Sequence, residues 1–498
     1  MTNLKAALAA ITQTDGYKLD HRRQYPKGTE YVYANWTPRG SRIKGVDKVT
    51  FVGLQYVIQK RLMEDFEAFF AADVDEVCDG YQKMLDSYLG PNDIGTDHIR
   101  ALHNLGYLPL EFKALPEGTA VPLRVPMFTV ENTHPDFFWL TNYFETLLSA
   151  ELWMPMTSAT NASRVRELLN SWATKTGAAL EGVGFQGHDF SMRGMAGIGA
   201  GNLSALGHLV AFTGTETVPV LQFVQDYYPF EGFLAGTVPA TEHSVMCAGG
   251  DENERETFQR LLDLYPSGIL SVVSDTWDFW NVLTGHLPAL KNQILARDGK
   301  LVIRPDSGDP ADIICGTVRE FGKGNTPAEK GSIELLWDEF GGTVNDKGFK
   351  VLDSHVGLIY GDAMNFARID DICERLAEKG FSIEPVVFGL GSFGYQYQTR
   401  DTFGFAMKAT NVVIEGDEKP IFKDPKTDNG LKKSLKGRIG VYDRCNPDTG
   451  KSELVAIDGQ SKDRYVKGTN LLKTVWKDGE FVRKVGFDEI RNNAGLVL

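Results

Sequence analysis

A repeated alternation of short apolar runs and longer amphipathic segments dominates the middle of the chain. Four apolar runs lie at 269–275, 300–308, 356–362 and 385–391. Each run is continuous rather than alternating, as in strands buried on both faces, and each ends in Asp, Gly or Ser. Amphipathic segments at 311–323 and 365–380 lie between them, and the second ends in a glycine, a common helix C-cap. This repetition of strand, polar turn and helix predicts a parallel sheet, and hence an α/β fold.

The two ends of the chain have a different pattern. Residues 105–132 are rich in β-formers and interrupted by proline, which is typical of antiparallel or edge strands. From about residue 409 the pattern again indicates short strands and hairpins, with a basic, solvated loop at 423–438. We therefore expect one sheet-rich α+β domain built from residues 1–150 and 401–498, and an irregular (βα) barrel in residues 151–400.

Charge and cysteine usage limit the function classes. The 66 acidic and 52 basic residues give a net charge of -14, which argues against nonspecific nucleic-acid binding but not against an anionic small molecule. The five cysteines are scattered without a CxxC pair, which argues against a disulfide framework or a zinc site. The N-terminal residues lack the apolar run of a signal peptide, and no segment is apolar enough to span a membrane. These features predict a soluble, cytoplasmic protein without membrane or nucleic-acid partners.

Polar groups gather at the carboxyl ends of the predicted strands, the edge where parallel α/β folds carry active sites. They are Asp189, Arg193, Asp275, Asp278, Arg304, Asp306, Asp362 and Ser392, with Gly389, Gly391 and Gly394 around the last. Arginine forks suit phosphates, and carboxylates suit ribose hydroxyls or a magnesium ion that arrives with a polyphosphate. A glycine turn lets backbone N–H groups approach a phosphate. An edge that holds all these groups indicates a functional site.

Each of these signals, taken alone, has a structural alternative. The sequence GLGSFG (389–394) is typical of a tight turn, and RPDSG (304–308) of a salt-bridged strand end. The chain contains no P-loop, HExxH or GxSxG motif, which argues against the common NTPase, zincin and hydrolase classes. Two alternatives stay open: a metal-dependent barrel hydrolase or lyase built on Asp275, Asp306 and Asp362, and a non-catalytic binding protein on the same fold.

A series of motifs carries a resemblance that covers nearly the whole chain. In order they include TDGYKLDH, FVGLQYVIQKRL, FTVENTHPDFFWLTNYFETLL, HDFSMRG, VPATEHS, IRPDSGDP and IFKDP. With these motifs the chain resembles the nicotinamide phosphoribosyltransferases of the type II phosphoribosyltransferase family. The resemblance implies an α/β barrel with a sheet-rich domain, and a homodimer with two sites shared between subunits. It also implies transfer from phosphoribosyl diphosphate to nicotinamide in NAD salvage, with Mg²⁺ held mainly through the diphosphate and ATP as a coupled phosphoryl donor.

The resemblance assigns two aromatic side chains to the pyridine ring. Phe190 of the HDF motif stacks on one face, and Tyr17 of the TD-x-YK motif stacks on the other from the partner subunit. Asp15 lies beside Tyr17, and Arg193 helps to orient the substrate. An aromatic sandwich suits a flat heterocycle because close contacts between ring systems are favourable.

The resemblance assigns the remaining groups motif by motif. Catalysis is assigned to His243, Asp306, Arg304 and Asp275, of which His243 matches a histidine that ATP phosphorylates. Its pocket is lined by Thr237 and Val238. The ribose, diphosphate and 5′-phosphate are assigned to Asp275, Asp362, Gly361, Gly391 and Ser392. From the partner subunit, the phosphate-binding cations are Arg39, Arg400, Lys408 and Lys423.

Three positions depart from the family pattern. Glu216 stands where vertebrate-like members have Asp, an acid that accepts a hydrogen bond from the carboxamide and disfavours nicotinate. Ser392 stands where a glycine is usual in the phosphate turn, and Thr237 replaces a serine. The nearest alternative function is that of a nicotinate phosphoribosyltransferase, which Glu216 argues against.

Overall fold

The computed structural model describes residues 2–427, 433–447, 450–462, 466 and 468–495. The chain divides into two units. Unit 1 contains Met1–Thr160, Phe223–Phe230 and Gln398–Gly495, and unit 2 contains Asn161–Gln222 and Glu231–Tyr397. Residues 151–400 were expected in the barrel, whereas the structure groups residues 151–160, Phe223–Phe230 and residues 398–400 with unit 1. Part of the predicted basic loop, residues 428–432, lies outside the described residues.

The strands and main helices follow in chain order. The strands are β1 (Thr29–Pro38), β2 (Lys48–Thr50), β3 (Leu110–Ala114), β4 (Ala120–Pro122), β5 (Phe128–Asn132), β6 (Gly187–Asp189), β7 (Gly214–Thr215), β8 (Ser267–Val273), β9 (Asp298–Arg304), β10 (Gly342–Val344), β11 (Lys350–Leu352), β12 (Val356–Tyr360), β13 (Val386–Leu390), β14 (Phe405–Ile414), β15 (Asp417–Pro420), β16 (Arg438–Cys445), β17 (Ser452–Gln460), β18 (Lys473–Lys477) and β19 (Glu480–Phe481). The longer helices are Thr2–Ile11, Asp65–Ala71, Val74–Leu89, Asp97–Leu105, Glu145–Thr176, Ile198–His208, Pro219–Tyr227, Glu254–Leu264, Leu287–Leu295, Pro310–Cys315, Ser332–Phe340, Phe366–Glu378 and Phe487–Asn493.

Unit 1 is built on an antiparallel sheet of seven strands in the order β15-β14-β1-β5-β3-β18-β19. Strand β1 pairs with β14 from Thr29↔Ile414 to Pro38↔Phe405, so the two ends of the chain meet in one sheet, as predicted. Trp36 on β1 is fully buried and stacks against Phe405 and Phe128, with ring centroids 5.5 and 6.0 Å apart. These aromatic contacts join strands from both ends of the chain in one core.

Unit 2 is built on a parallel sheet of six strands in the order β7-β6-β13-β12-β9-β8. The segment 236–241 bridges the two edge strands, because Gly236 pairs with Gly214 of β7 and Ala240 pairs with Ser271 of β8. The strand residues are mostly buried, and helices cover the sheet from outside. The α/β barrel expected from the sequence is confirmed, with its polar strand ends at one edge.

One predicted helix is wrong in its second half. Residues 311–323 were expected to be amphipathic, but the helix Pro310–Cys315 ends at Gly316, whose φ is +79°. A Cβ at Gly316 would lie 2.3 Å from the carbonyl oxygen of Glu329, so the backbone of the following turn passes too closely for a side chain. The amphipathic pattern cannot show this contact because it depends on a residue 13 positions away.

The described residues include no helix long and apolar enough to cross a membrane.

We predict that Gly316→Ala lowers the thermal unfolding midpoint more than Gly322→Ala. Both glycines have positive φ, 79° and 73°, but a Cβ at Gly322 would meet nothing within 4 Å. Both variants carry the cost of about 1 kcal/mol for a left-handed backbone, and only Gly316→Ala adds a steric clash. Calorimetry should show an extra decrease of at least about 2 °C for Gly316→Ala. Equal midpoints would contradict the close packing at Gly316.

Candidate active site

A cavity of about 930 Å³ opens at the carboxyl edge of the parallel sheet in unit 2. It is lined by many of the residues singled out from the sequence: Phe190, Arg193, Glu216, Arg304, Asp306, Gly361, Asp362, Gly391 and Ser392. The carboxyl ends of parallel strands meet at one edge, which is why residues far apart in the chain come together here.

The buried carboxylate of Asp189 organises one side of the cavity. Asp189 ends β6, is completely buried, and accepts four hydrogen bonds. Its Oδ1 accepts from Ser191 N at 2.9 Å and Ser191 Oγ at 2.6 Å. Its Oδ2 accepts from the hydroxyls of Thr215 at 2.9 Å and Thr217 at 2.7 Å. The carboxylate therefore links the turn after the HDF motif to the end of β7, next to Glu216. The sequence pattern alone does not show this role.

The ring of Phe190 packs directly on the backbone of two glycines, Gly389 and Gly361. A Cβ at Gly389 would be 2.4 Å from its ring, and a Cβ at Gly361 would be 2.7 Å from it. Its backbone N–H donates to Leu390 O at 3.0 Å, which joins the turn to the end of β13. Only glycine fits beneath this ring, so Gly361 and Gly389 shape the aromatic platform whether or not a phosphate lies near them.

Glu216 follows β7, and its half-exposed side chain reaches the cavity. The carboxylate oxygen Oε1 accepts hydrogen bonds from His188 Nε2 at 2.9 Å and from Thr237 Oγ1. Burial acts to raise the pKa of Glu216, but the bonds from His188 and Thr237 and the attraction of His188 and Arg304 outweigh it and lower the pKa. Glu216 is therefore a carboxylate at neutral pH.

Asp275 links two of the predicted catalytic groups. Its Oδ2 accepts from Asp306 N at 2.9 Å and from Ser307 Oγ at 2.6 Å. Its Oδ1 is buried without a hydrogen-bond partner among the described residues and lies 3.9 Å from His243 Nε2. His243 is half-exposed, and its Nδ1 lies 3.2 Å from Thr276 Oγ1. The imidazole thus lies near the Asp275 carboxylate and within hydrogen-bond distance of Thr276.

Arginine and carboxylate alternate along the neighbouring strand ends. Arg304 Nε lies 3.8 Å from Asp306 Oδ2, and Arg304 is mostly buried. Burial, together with the charges of Asp275 and Asp362, raises the pKa of Asp306 in spite of Arg304 and His243. The negative charges of Asp275, Asp306 and Asp362 would therefore favour the binding of a cation or a proton beside Asp306.

Ser392 begins the helical turn Ser392–Tyr395 after Gly391. Its side chain occupies the space beside Gly194, where an added Cβ would lie 2.2 Å from Ser392 Oγ. The absence of a side chain at Gly194 therefore makes room for the side chain of Ser392.

The six predicted residues from the ends of the chain all lie in unit 1: Asp15, Tyr17, Arg39, Arg400, Lys408 and Lys423. Asp15 accepts a hydrogen bond from Thr146 Oγ1 at 2.6 Å, and Tyr17 is 63% exposed. Arg39 and Lys408 line a cavity of about 220 Å³, and Arg400 pairs with Asp401 at 3.0 Å. The structure thus places the predicted site residues in two groups, one in each unit.

Two solved structures share this fold. The crystal structure of nicotinate-nucleotide pyrophosphorylase from Pyrococcus furiosus is 17% identical, with a TM-score of 0.58 over 99% of this chain and 98% of the other. The crystal structure of human nicotinic acid phosphoribosyltransferase is 16% identical, with a TM-score of 0.56 over 97% and 92%. The likeness to these two structures shows the fold class of this chain, an α/β barrel with a sheet-rich domain.

The sequence narrows this class to one family. The profile of the nicotinate phosphoribosyltransferase (NAPRTase) family matches residues 185–480, and that of the nicotinamide phosphoribosyltransferase N-terminal domain matches residues 9–111. A nicotinamide phosphoribosyltransferase of Acinetobacter baylyi is 50% identical over 98% of this chain and 97% of its own length. Another, from Mycoplasma pneumoniae, is 37% identical over 88% and 96%. The chain belongs to the nicotinate phosphoribosyltransferase family.

We predict that Asp189→Asn destabilises the protein by about 1–3 kcal/mol, because an amide NH2 replaces an oxygen that accepts buried hydrogen bonds. Urea unfolding followed by tryptophan fluorescence measures the loss. Asp298→Asn is the matched control, since it makes the same change at an exposed residue of β9. Equal stability of the two variants would show that the Asp189 carboxylate does not hold the turn.

Proposed function

We propose that this chain is a nicotinamide phosphoribosyltransferase. It transfers the phosphoribosyl group from phosphoribosyl diphosphate to the ring nitrogen of nicotinamide, and it releases nicotinamide mononucleotide and diphosphate in NAD salvage. One observation carries the choice of base: the ionised Glu216 lines the same cavity as the Phe190 ring. A carboxylate accepts a hydrogen bond from a carboxamide NH2 but repels the carboxylate of nicotinate.

A competition assay tests this function. The protein receives equal concentrations of nicotinamide and nicotinate with phosphoribosyl diphosphate and Mg²⁺, and the two mononucleotides are separated by chromatography. We expect nicotinamide mononucleotide as the main product. Nicotinate mononucleotide as the main product would favour the alternative named by the family profile, a nicotinate phosphoribosyltransferase.

The proposed mechanism uses position and charge rather than a covalent bond to the enzyme. The bond between C1 of the ribose and the diphosphate breaks, and an oxocarbenium-like centre develops that the neutral pyridine nitrogen attacks. Phe190 holds the ring, and Arg304 supplies positive charge against the leaving diphosphate. The reactive sugar must also be kept from water, which would otherwise hydrolyse it.

We propose that Mg²⁺ binds at this edge mainly through the substrate diphosphate, because the described residues include no cluster of three metal-ligating side chains. Asp275, Asp306 and Asp362 follow β8, β9 and β12, which are neighbours in the sheet, and Asp275 Oδ1 lacks a hydrogen-bond partner among the described residues. Oxygen donors suit Mg²⁺, which keeps several waters and binds with substrate phosphates. A magnesium ion held here with the diphosphate would neutralise charge on the leaving group.

We also assign the enzyme to the cytoplasm, a reducing compartment that suits its five free cysteines.

The second group of site residues supports a homodimer with shared active sites. Tyr17 exposes 63% of its surface, although tyrosine rings in monomers are usually more buried. Arg39 and Lys408 line a cavity in unit 1 and are suited to phosphate. We propose that these groups complete the site of the partner subunit.

We predict that Tyr17→Ala and Arg304→Ala are each nearly inactive, and that a mixture of the two regains activity. A heterodimer has one site in which both residues are intact, so random exchange should restore about a quarter of the wild-type activity. Synthesis is measured after subunit exchange has been demonstrated by native mass spectrometry. Full exchange without recovery would contradict the shared site.

We propose that ATP phosphorylates His243. The imidazole nitrogen attacks the γ-phosphorus, the bond to the β-phosphate oxygen breaks, and ADP leaves; water later takes the phosphoryl group. The half-exposed imidazole beside Asp275 supports this role, since Asp275 can orient the ring and stabilise a positive charge on it. A phosphate there would add negative charge beside the diphosphate site and change how tightly substrate and product are held.

We predict that His243→Ala loses ATPase activity and ATP stimulation but keeps weak ATP-independent synthesis. Acid-labile, base-stable phosphate from labelled ATP is measured in the wild type and the variant. His355→Ala is the control, because His355 precedes β12 at the opposite edge of the sheet. Equal labelling of wild type and His243→Ala would place the phosphate on another residue.

A further inference from the structure

We propose that His188 is a positioning residue that selects nicotinamide by holding Glu216 in place. Its Nε2–H donates to Glu216 Oε1 and leaves Oε2 to receive the carboxamide NH2 of the substrate. This inference rests on the proposed function. It adds His188, a residue that does not itself contact the pyridine ring of the substrate.

The geometry fixes which nitrogen of His188 carries the proton. Glu216 is ionised and can only accept hydrogen bonds, and His188 Nε2 lies 2.9 Å from its Oε1. The proton must therefore be on Nε2. Thr237 Oγ1 donates to the same oxygen. Because both bonds fall on Oε1, the acceptor capacity of Oε2 stays available for a ligand.

The imidazole is held from both sides. His188 lies in β6, and the residues paired with it in the flanking strands are both glycines, Gly389 of β13 and Gly214 of β7. A Cβ at Gly214 would lie 2.4 Å from His188 Nδ1, so the imidazole packs directly on that backbone. The edge of the Phe190 ring is also close, with centroids 5.2 Å apart and planes at 62°. His188 is 8% exposed.

Glu216 needs such support more than a shorter acid would. Its side chain has three rotatable bonds and is 43% exposed, so without a partner it would sample orientations that face solvent. Ordering the carboxylate before the substrate arrives removes that cost from binding. The imidazole of His188 therefore contacts both Phe190, which is proposed to hold the pyridine ring, and Glu216, which is proposed to accept the carboxamide hydrogen bond.

The test compares two amide replacements of nearly equal chemistry. The Nε2 of glutamine in His188→Gln can occupy the place of the imidazole Nε2, whereas the shorter side chain in His188→Asn cannot reach Glu216. We expect the KM for nicotinamide to rise about tenfold or more in His188→Asn, the loss for one hydrogen bond to a charged group. In His188→Gln most of this loss should be restored. The kcat and the KM for phosphoribosyl diphosphate should change much less.

A double-mutant cycle separates positioning from a general structural role. The nicotinamide-to-nicotinate preference should fall in His188→Asn, and it should fall little further when His188→Asn is added to Glu216→Gln. Additive effects, an unchanged KM for nicotinamide in His188→Asn, or equal losses in all kinetic parameters would each overturn the proposal.

A measurement on the wild type does not depend on how the variants fold. The ¹⁵N NMR signals of His188 should show a protonated Nε2 near neutral pH, and a neutral ring protonated only on Nδ1 would overturn the proposal. The preference of the wild type for nicotinamide or nicotinate distinguishes a failure of the proposed function from a failure of the role of His188. A wild type that prefers nicotinate overturns the proposed function and this inference together. A wild type that prefers nicotinamide, with variants that keep the same preference, overturns the role of His188 alone.

Discussion

The buried carboxylate of Asp189 is the interaction on which the rest of the site depends. A carboxylate removed from water must have its oxygens satisfied, and here backbone and hydroxyl donors from Ser191, Thr215 and Thr217 supply four bonds. These donors belong to the HDF turn and to the end of β7. Satisfying one charge therefore sets the relative positions of the Phe190 ring and Glu216.

Glycines in the neighbouring strands also fix the position of the side chains at this site. The imidazole of His188 and the ring of Phe190 need space inside a parallel sheet, and glycines in the neighbouring strands provide it at Gly214, Gly361 and Gly389. Gly361 and Gly389, which the sequence pattern associated with phosphate, thus have a packing role beneath the Phe190 ring. The Phe190 ring, Glu216 and the charged residues Arg304 and Asp306 all lie at the carboxyl edge of the same sheet.

Local patterns predicted most of the fold, because continuous apolar runs and their polar ends are properties of short segments. The strands at β8, β9, β12 and β13 and the joining of the two chain ends in one sheet are confirmed. Contacts between distant residues could not be predicted in this way. The early end of the helix at Gly316 depends on Glu329, and the bond from His188 to Glu216 depends on the register of β6 and β7. The roles of Tyr17 and His243 stay predictions.

We propose that the Phe190 ring and the Glu216 carboxylate together form the nicotinamide site. A crystal structure of the protein with nicotinamide mononucleotide tests it most directly. We expect the pyridine ring to stack on Phe190, with the carboxamide nitrogen within hydrogen-bond distance of Glu216 Oε2 and with Glu216 Oε1 still bonded to His188. A pyridine ring bound away from Phe190, or a carboxamide that does not contact Glu216, would contradict it.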